Sequence, residues 1–560
     1  MRPSHRRLWT CAATTATAVG LASVLIDAQG REWTTSGSDA QRTRAVQRDE
    51  RLTREAVAGG EFTFLWKATF ANDARGLESL TEPILEDRLI GYRGFKALAF
   101  VGGSADRLFA IDTDLGRPYW TTHLTYAVTT GGVPAPTPDC PGGLLAAPSR
   151  RTTLAPPTFR ARSGGRGSGA RSAVGEPGQG AAALKALASA KDRTPPSDPP
   201  PPPVDPGRTV APVPFGGVDP LYAMGSDGLL RTLRVSDGLI TEPPVPFIPP
   251  DSRPSALVYV DGYVYTITSG GCGAAPNAVW ALDTLAPDRK VSRWEPVDAE
   301  VLGESGPTLG TDGTIYVTLM PDPSRVRDGL APAPAVPSNA LVALDRNTFS
   351  VKDWFAPSDG VLNAPSTLFR QGDHDVLAVT GGEGRLYLLD ARSLGGADHH
   401  TPLQKVDPDQ PARPAGGRWF RSRGLATWQD ATARWILAPS ADALAAFTLR
   451  EKDGAVVAER AWRTASLLAP LAPVVVNGVV FAVASGESLE AGPATLDTDR
   501  AARSTPAVLH ALDIATGHVL WSSGTTMTSF ARGGVSAGSG QVYVVTHDNT
   551  LYAFGIPMEH

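Results

Sequence analysis

Cysteine is nearly absent from this chain, at 3 of 560 residues, so the fold cannot be a small disulfide scaffold. No two cysteines are adjacent and no Cys-x-x-Cys-His run occurs, so no c-type haem is attached to the chain. Concentrated positive charge is missing too. Lysine and arginine number 52 against 57 aspartates and glutamates, a net charge of −5 without a basic stripe, which excludes a dedicated nucleic-acid binder. Turn-formers, by contrast, are plentiful. Glycine (58) and proline (49) together exceed their roughly 12% average share, and hydrophobic residues make up 42%. The length allows three or four ordinary domains of roughly 100–200 residues, or one large closed β architecture.

Arg2, His5, Arg6 and Arg7 precede a small-residue apolar run from Leu8 to Ile26, and Ala28-Gln29-Gly30 offers small residues where a signal peptidase reads. Residues 1–30 are therefore expected to be a cleaved signal peptide. The run is too rich in Thr and Ala for a stable span of about 20 residues, so no transmembrane segment is expected after cleavage. Cys11 lies near the start of that run and is no lipoprotein cleavage site. The expected destination is the periplasm or the extracellular space, where the remaining Cys140 and Cys272, each in a Gly/Pro-rich loop, are expected to pair.

A repeat organises the rest. Val508–Trp521 reads as strand, turn, strand, and variants recur at Arg107–Asp112 leading to Trp120, Val279–Asp283 leading to Trp294, and Leu341–Asp345 leading to Trp354. Weaker copies lie at Leu221–Met224, Leu386–Asp390, Leu444–Phe447 and Leu551–Phe554. Most follow a strand opened by a Gly turn, as in Asp261-Gly262, Asp312-Gly313 and Asn477-Gly478, a strong hairpin signal. Consecutive apolar strand residues require burial on both faces. Sheets of that kind stack, and stacked radially they make a propeller. The last unit lacks a Trp-bearing outer strand, and Phe62–Lys67 supplies one. The expectation is an all-β, eight-bladed β-propeller of four-stranded antiparallel blades over residues 31–560, closed by pairing of N-terminal and C-terminal strands. A Gly/Pro/Ser/Ala-rich stretch at 148–210 is expected to be a disordered insertion between the first two blades.

The Leu-x-Ala-Leu-Asp, Thr-Gly and Trp pattern of 509–521 is similar to the tryptophan-docking repeat of pyrroloquinoline-quinone (PQQ) propellers, and Trp33–Thr43 resembles the opening of many such chains. The resemblance implies the propeller fold, with relatives that are quinoprotein dehydrogenases and others that are non-catalytic. In the dehydrogenases it implies PQQ against a disulfide of adjacent cysteines, a Ca²⁺ held by acidic and Asn ligands, and an Asp base. The adjacent cysteines are absent here, and no acidic pair aligns with the ligand and base positions.

Other chemical signals are weak. Gly534-Val535-Ser536-Ala537-Gly538 matches a nucleophile-elbow pattern but precedes a strand where an elbow requires a helix. His399-His400 reads as a solvated loop pair rather than a metal site. Arg418, Arg421, Arg423 and Trp428 form the densest cationic-aromatic group outside the insertion, with Arg421, Arg423 and Trp428 the candidates for lining a ligand channel. The structural alternative is a set of surface arginines paired with Asp430 or with loop carboxylates. No catalytic residue, metal ligand or cofactor is assigned. The leading expectation is a monomeric binding or scaffolding propeller for a protein or a small anionic ligand; the alternative is a PQQ- and Ca²⁺-dependent dehydrogenase of an alcohol or sugar. Limited proteolysis of the exported protein is expected to cut first between 150 and 210 and leave the remainder associated; first cuts elsewhere contradict the placement of the insertion.

Overall fold

A computed structural model describes residues 33–91, 94–124, 140, 142–154, 219–322, 336–408, 420–452, 455–464, 466–489 and 497–557. The expected leader, Arg418 and most of the expected insertion lie outside them. The doubly apolar strands behave as their composition requires. Along Val479–Ala484 the side chains of Val479, Phe481 and Val483 join the core shared with blades eight and one, while Val480 and Ala482 join the core shared with blade six. Both faces are dry, so each sheet needs a neighbour on either side.

Eight sheets follow in chain order around the ring. Blade one comprises Ile84–Gly91, Gly94–Gly103, Arg107–Asp112 and Arg117–His123. Blade two contains Leu221–Met224, Leu229–Leu233 and Val245–Pro246, with Ser149 bridging Tyr222 on its inner side. Blades three to seven occupy 258–294, 299–355, 367–406, 426–463 and 474–522, and blade eight occupies 531–555. Blades three and seven each gain a short extra strand parallel to the inner one, Arg151–Thr152 beside Val258–Val260 and Ala45–Val46 beside Val474–Val476.

Ser149 and Tyr222 exchange backbone hydrogen bonds of 2.9 and 2.8 Å, so Ser149 forms the inner side of blade two, and the chain supplies that blade's next strand at Leu221–Met224. Residues 148–154 accordingly belong to the folded ring, because buried Ser149 and the Arg151–Thr152 strand satisfy their backbone groups there. Residues 155–210 lie outside the described residues.

The ring closes as the missing outer strand required. Thr63–Thr69 pairs antiparallel with Thr550–Gly555, matching Phe64 to Phe554 and Lys67 to Tyr552. Phe62, just before it, packs edge-on against Trp521 of blade seven at 4.8 Å.

Neighbouring blades lock through one repeated contact. Trp66 donates its indole N–H to the Thr113 carbonyl, Trp120 to Val235 and Trp462 to Ile514, at 2.7–2.9 Å. Three residues beyond each acceptor stands a glycine with positive φ, Gly116, Gly238 or Gly517. A Cβ on any of them would meet the indole at 2.5–2.7 Å, so the turn must be glycine both for its conformation and for the ring to lie flat on it. The preceding Asp shapes the turn: Asp112 accepts from the amides of Asp114 and Leu115, and Asp513 from those of Ala515 and Thr516. Trp66→Ala is expected to cost about 3–5 kcal/mol, read as a lowered urea midpoint; a loss below about 1 kcal/mol contradicts the docking role.

Candidate functional site at the channel mouth

Alternating strand direction gives the ring two ends. Turns between first and second strands lie at the lower end, and turns between second and third strands lie at the upper end with the blade-to-blade connections. The interior between the inner strands is occupied by the chain's own residues 33–46. Their backbone meets the blades in ring order. Leu85 of blade one donates to the Trp33 carbonyl, Arg150 of blade two to Thr34, Leu309 of blade four to Ala40, Leu368 of blade five to Gln41, Thr427 of blade six to Thr43 and Val475 of blade seven to Arg44, all at 2.8–3.0 Å. For blade three the Thr35 hydroxyl donates to the Leu257 carbonyl. The segment leaves at the lower end, where Asp49 accepts from the Gly540 amide and Asn477 donates to the Asp49 carbonyl.

Glu82 anchors this thread. Its carboxylate accepts from the Trp33 indole, the Ser36 hydroxyl and the Gly37 amide at 2.8 Å each, and from Arg44 at 3.2 Å. Donors on a buried carboxylate offset the cost of removing it from water.

Above the thread, at the upper end, arginines and carboxylates interlock. Arg532 of blade eight holds Glu78, in the connection to blade one, at 3.1 Å, and also pairs with Glu487 of blade seven. Glu78 also faces Arg253 at 3.4 Å. Glu487 takes Arg500 at 2.6 Å and lies 3.8 Å from Arg423, which pairs in turn with Glu304. Arg421 holds Glu300 at 2.6 Å, and Asp497 stands 3.7 Å from Arg500. Five arginines thus face five carboxylates drawn from connections and inner strands of several blades. Burial would raise the Glu78 carboxyl, but Arg532, Arg253 and Arg423 overrule it and hold it at about 2. Burial would lower Arg532, but Glu487, Glu78 and Glu304 hold it above the ordinary arginine range.

Two of the three candidates from sequence reach this mouth. Arg421 and Arg423 do, each paired with a carboxylate, Glu300 and Glu304 respectively, while Asp430 accepts from Thr432 and Trp435 instead. Trp428 does not: its ring lies over Gly478, in the lower turn between the first and second strands of blade seven. Five residues of extended chain separate it from Arg423, roughly 16 Å, so the grouping was one of sequence and not of space. Glu78, Arg253, Glu300, Glu304, Glu487, Asp497, Arg500 and Arg532 were missed. One signal could have found part of the set: Arg253, Arg423 and Arg532 each stand at or shortly before the inner strand of their unit.

The remaining motifs serve the fold. Ser536 is fully buried within the Ala531–Gly538 strand, followed by the strand Gln541–Thr546. His399 stacks on Trp354 at 4.2 Å and pairs with Asp353, while the His400 ring contacts the Ala356 carbonyl at 2.8 Å. Cys140 and Cys272 are joined, as expected, across 132 residues.

A family model described as outer membrane protein assembly factor BamB matches residues 448–556, from the third strand of blade six through blade eight. Among solved structures, quinohemoprotein alcohol dehydrogenase from Comamonas testosteroni is similar over 95% of this chain and 82% of its own, with 14% identity and a TM-score of 0.52. A europium-containing methanol dehydrogenase is similar over 94% of this chain and 98% of its own, with 12% identity and a TM-score of 0.51. No curated protein matches the chain by sequence. At such identities the structural likeness is one of fold.

The donor set at the mouth does not fit the PQQ and Ca²⁺ arrangement that the repeat resemblance implies. Its carboxylates are committed to arginines, and among the described residues no three His, Cys, Asp or Glu side chains are grouped to hold a metal ion. The disulfide joins two distant loops instead of adjacent cysteines.

The acid response of the lattice follows from Glu78. Its folded-state pKa lies below the ordinary 4.5, so its contribution to stability is complete above that value and is lost as pH falls toward about 2. The difference in unfolding free energy between wild type and Glu78→Gln is expected to shrink over that interval in urea titrations; a difference independent of pH contradicts the assignment.

Proposed function

We propose that this chain, a quinoprotein-like β-propeller built of PQQ-type repeats, is an exported binding protein whose working surface is the Arg–Glu mouth at the upper end of the ring. The observation that carries this reading is the lattice itself, which presents alternating, mutually satisfied charges in place of an acidic ligand set and base. Such a surface recognises by exchange of partners. Glu304 is 54% exposed while its partner Arg423 is only 18% exposed, so an incoming carboxylate can take Arg423 while Glu304 turns to water at small cost. Arg421, half exposed beside Glu300, offers a second guanidinium to the same ligand. The ligand class is therefore anionic, a carboxylate borne by a small molecule or a protein loop.

Two further observations support the reading. The family model that matches residues 448–556 is described as an outer membrane protein assembly factor. The Cys140–Cys272 disulfide suits an oxidising compartment. The dehydrogenase reading draws on the two solved enzymes whose fold spans nearly the whole chain.

Calorimetric titration of the full chain with PQQ and Ca²⁺, followed by a dye-linked assay over alcohols and aldoses, separates the readings. The expected result is no stoichiometric uptake and no turnover. One-to-one uptake with turnover replaces the binding reading by the enzymatic one.

A further inference from the structure

The disulfide lies beside the mouth, and the contacts around it form a continuous path into the ion-pair lattice. Cys140 belongs to the connection from blade one to blade two, and Cys272 to the turn between the second and third strands of blade three, so both are at the upper end. On the Cys140 side, Gly142 and Gly143 press on the loop system that carries Glu78. A Cβ on Gly142 would stand 3.2 Å from the Arg75 guanidinium, and one on Gly143 would stand 1.9 Å from the Ser104 carbonyl oxygen. Ser104 in turn donates its amide to the Ser79 carbonyl, and Glu78 and Arg75 exchange backbone hydrogen bonds.

On the Cys272 side the turn packs equally closely on the connection that carries Arg253. A Cβ on Gly273 would meet the Pro250 carbonyl oxygen at 2.0 Å, and the Ser269 amide donates to the Arg253 carbonyl at 3.2 Å. The two sides converge on the Arg253–Glu78 pair. Cys272 is buried and Cys140 is partly exposed.

We infer that the Cys140–Cys272 disulfide is a redox-sensitive latch on the channel mouth, holding the loops of Arg253 and Glu78 together so that its reduction releases that side of the lattice. The inference deepens the reading of the mouth as the working surface and rests on it for its purpose. The co-reactant is a dithiol. Its thiolate attacks the more exposed sulfur, Cys140, and forms a mixed disulfide as the bond to Cys272 breaks. The second thiol of the dithiol then closes its own disulfide and expels Cys140. Two electrons and two protons pass to the protein, which ends with two thiols, and the dithiol ends oxidised. Once the loops part, Arg253, about a third exposed, is free to turn to water, and Glu78 keeps Arg532 alone among its direct ion partners.

Peptide-resolved hydrogen exchange on the full oxidised chain tests this, with and without dithiothreitol and with reduction verified by thiol mass labelling. The expected result is exchange at least about tenfold faster in peptides spanning 76–81, 251–257 and 269–275, with 367–390 of blade five unchanged. Arg253→Gln in the oxidised protein is expected to reproduce the change at 76–81 but not at 269–275. Unchanged exchange at 76–81 in fully reduced protein overturns the latch. Equal acceleration in every blade also overturns it, since it marks a global staple. No ligand enters the measurement, so a failed latch leaves the binding reading standing, and a mouth that takes up PQQ with turnover leaves the latch to be judged on its own.

Discussion

Sheets with two apolar faces cannot end against water, and the ring is the arrangement in which no sheet does. That constraint alone would leave the inner strands facing one another across the axis with unpaired backbone groups. Residues 33–46 meet this second requirement by threading the interior and accepting hydrogen bonds from the inner strands in ring order. Glu82 fixes the thread through Trp33, Ser36, Gly37 and Arg44. Because the thread leaves at the lower end, the upper end is the face at which side chains from many blades converge, and the Arg–Glu lattice stands there.

The lattice follows a different logic from the core. Most of its members arrive from connections, whose lengths and sequences are less constrained than the strands, and most of its pairs join residues far apart in the chain. A buried ion pair brings little net stability but penalises any arrangement that leaves one partner alone. The mouth is thus held in one geometry by mutual dependence, and Glu487, bound by both Arg500 and Arg532, is the member whose loss would leave the most charge unmatched. The same dependence makes the mouth responsive: a change in one connection, such as the one carrying Arg253, alters the partners available to the rest.

Much of the fold was legible in the sequence because its causes are local. Runs such as Leu108–Ile111 are apolar at successive positions, the Asp and Gly that follow set the turn, and the Trp beyond announces the contact with the next blade. The closing strand could be inferred because the last unit lacked an outer strand and Phe62–Lys67 had its pattern. The mouth was legible only in part. Arg421 and Arg423 were visible as a cluster, but Glu300, Glu304 and Glu487 lie far from them in sequence and follow no period, so only the folded chain brings them into contact. Trp428 was grouped with them by proximity along a strand whose rise carries it to the other end of the blade. The place of Ser149 in blade two was likewise hidden, because a single residue, not a recognisable strand, forms the inner side of that blade.

The central claim is that the amino-terminal thread completes the ring from inside. Its most direct measurement is equilibrium unfolding in urea of the full chain beside a variant lacking residues 33–46. The account predicts that the variant loses the single cooperative transition or unfolds at a much lower midpoint. A variant with the same midpoint and the same cooperativity as the full chain would contradict it.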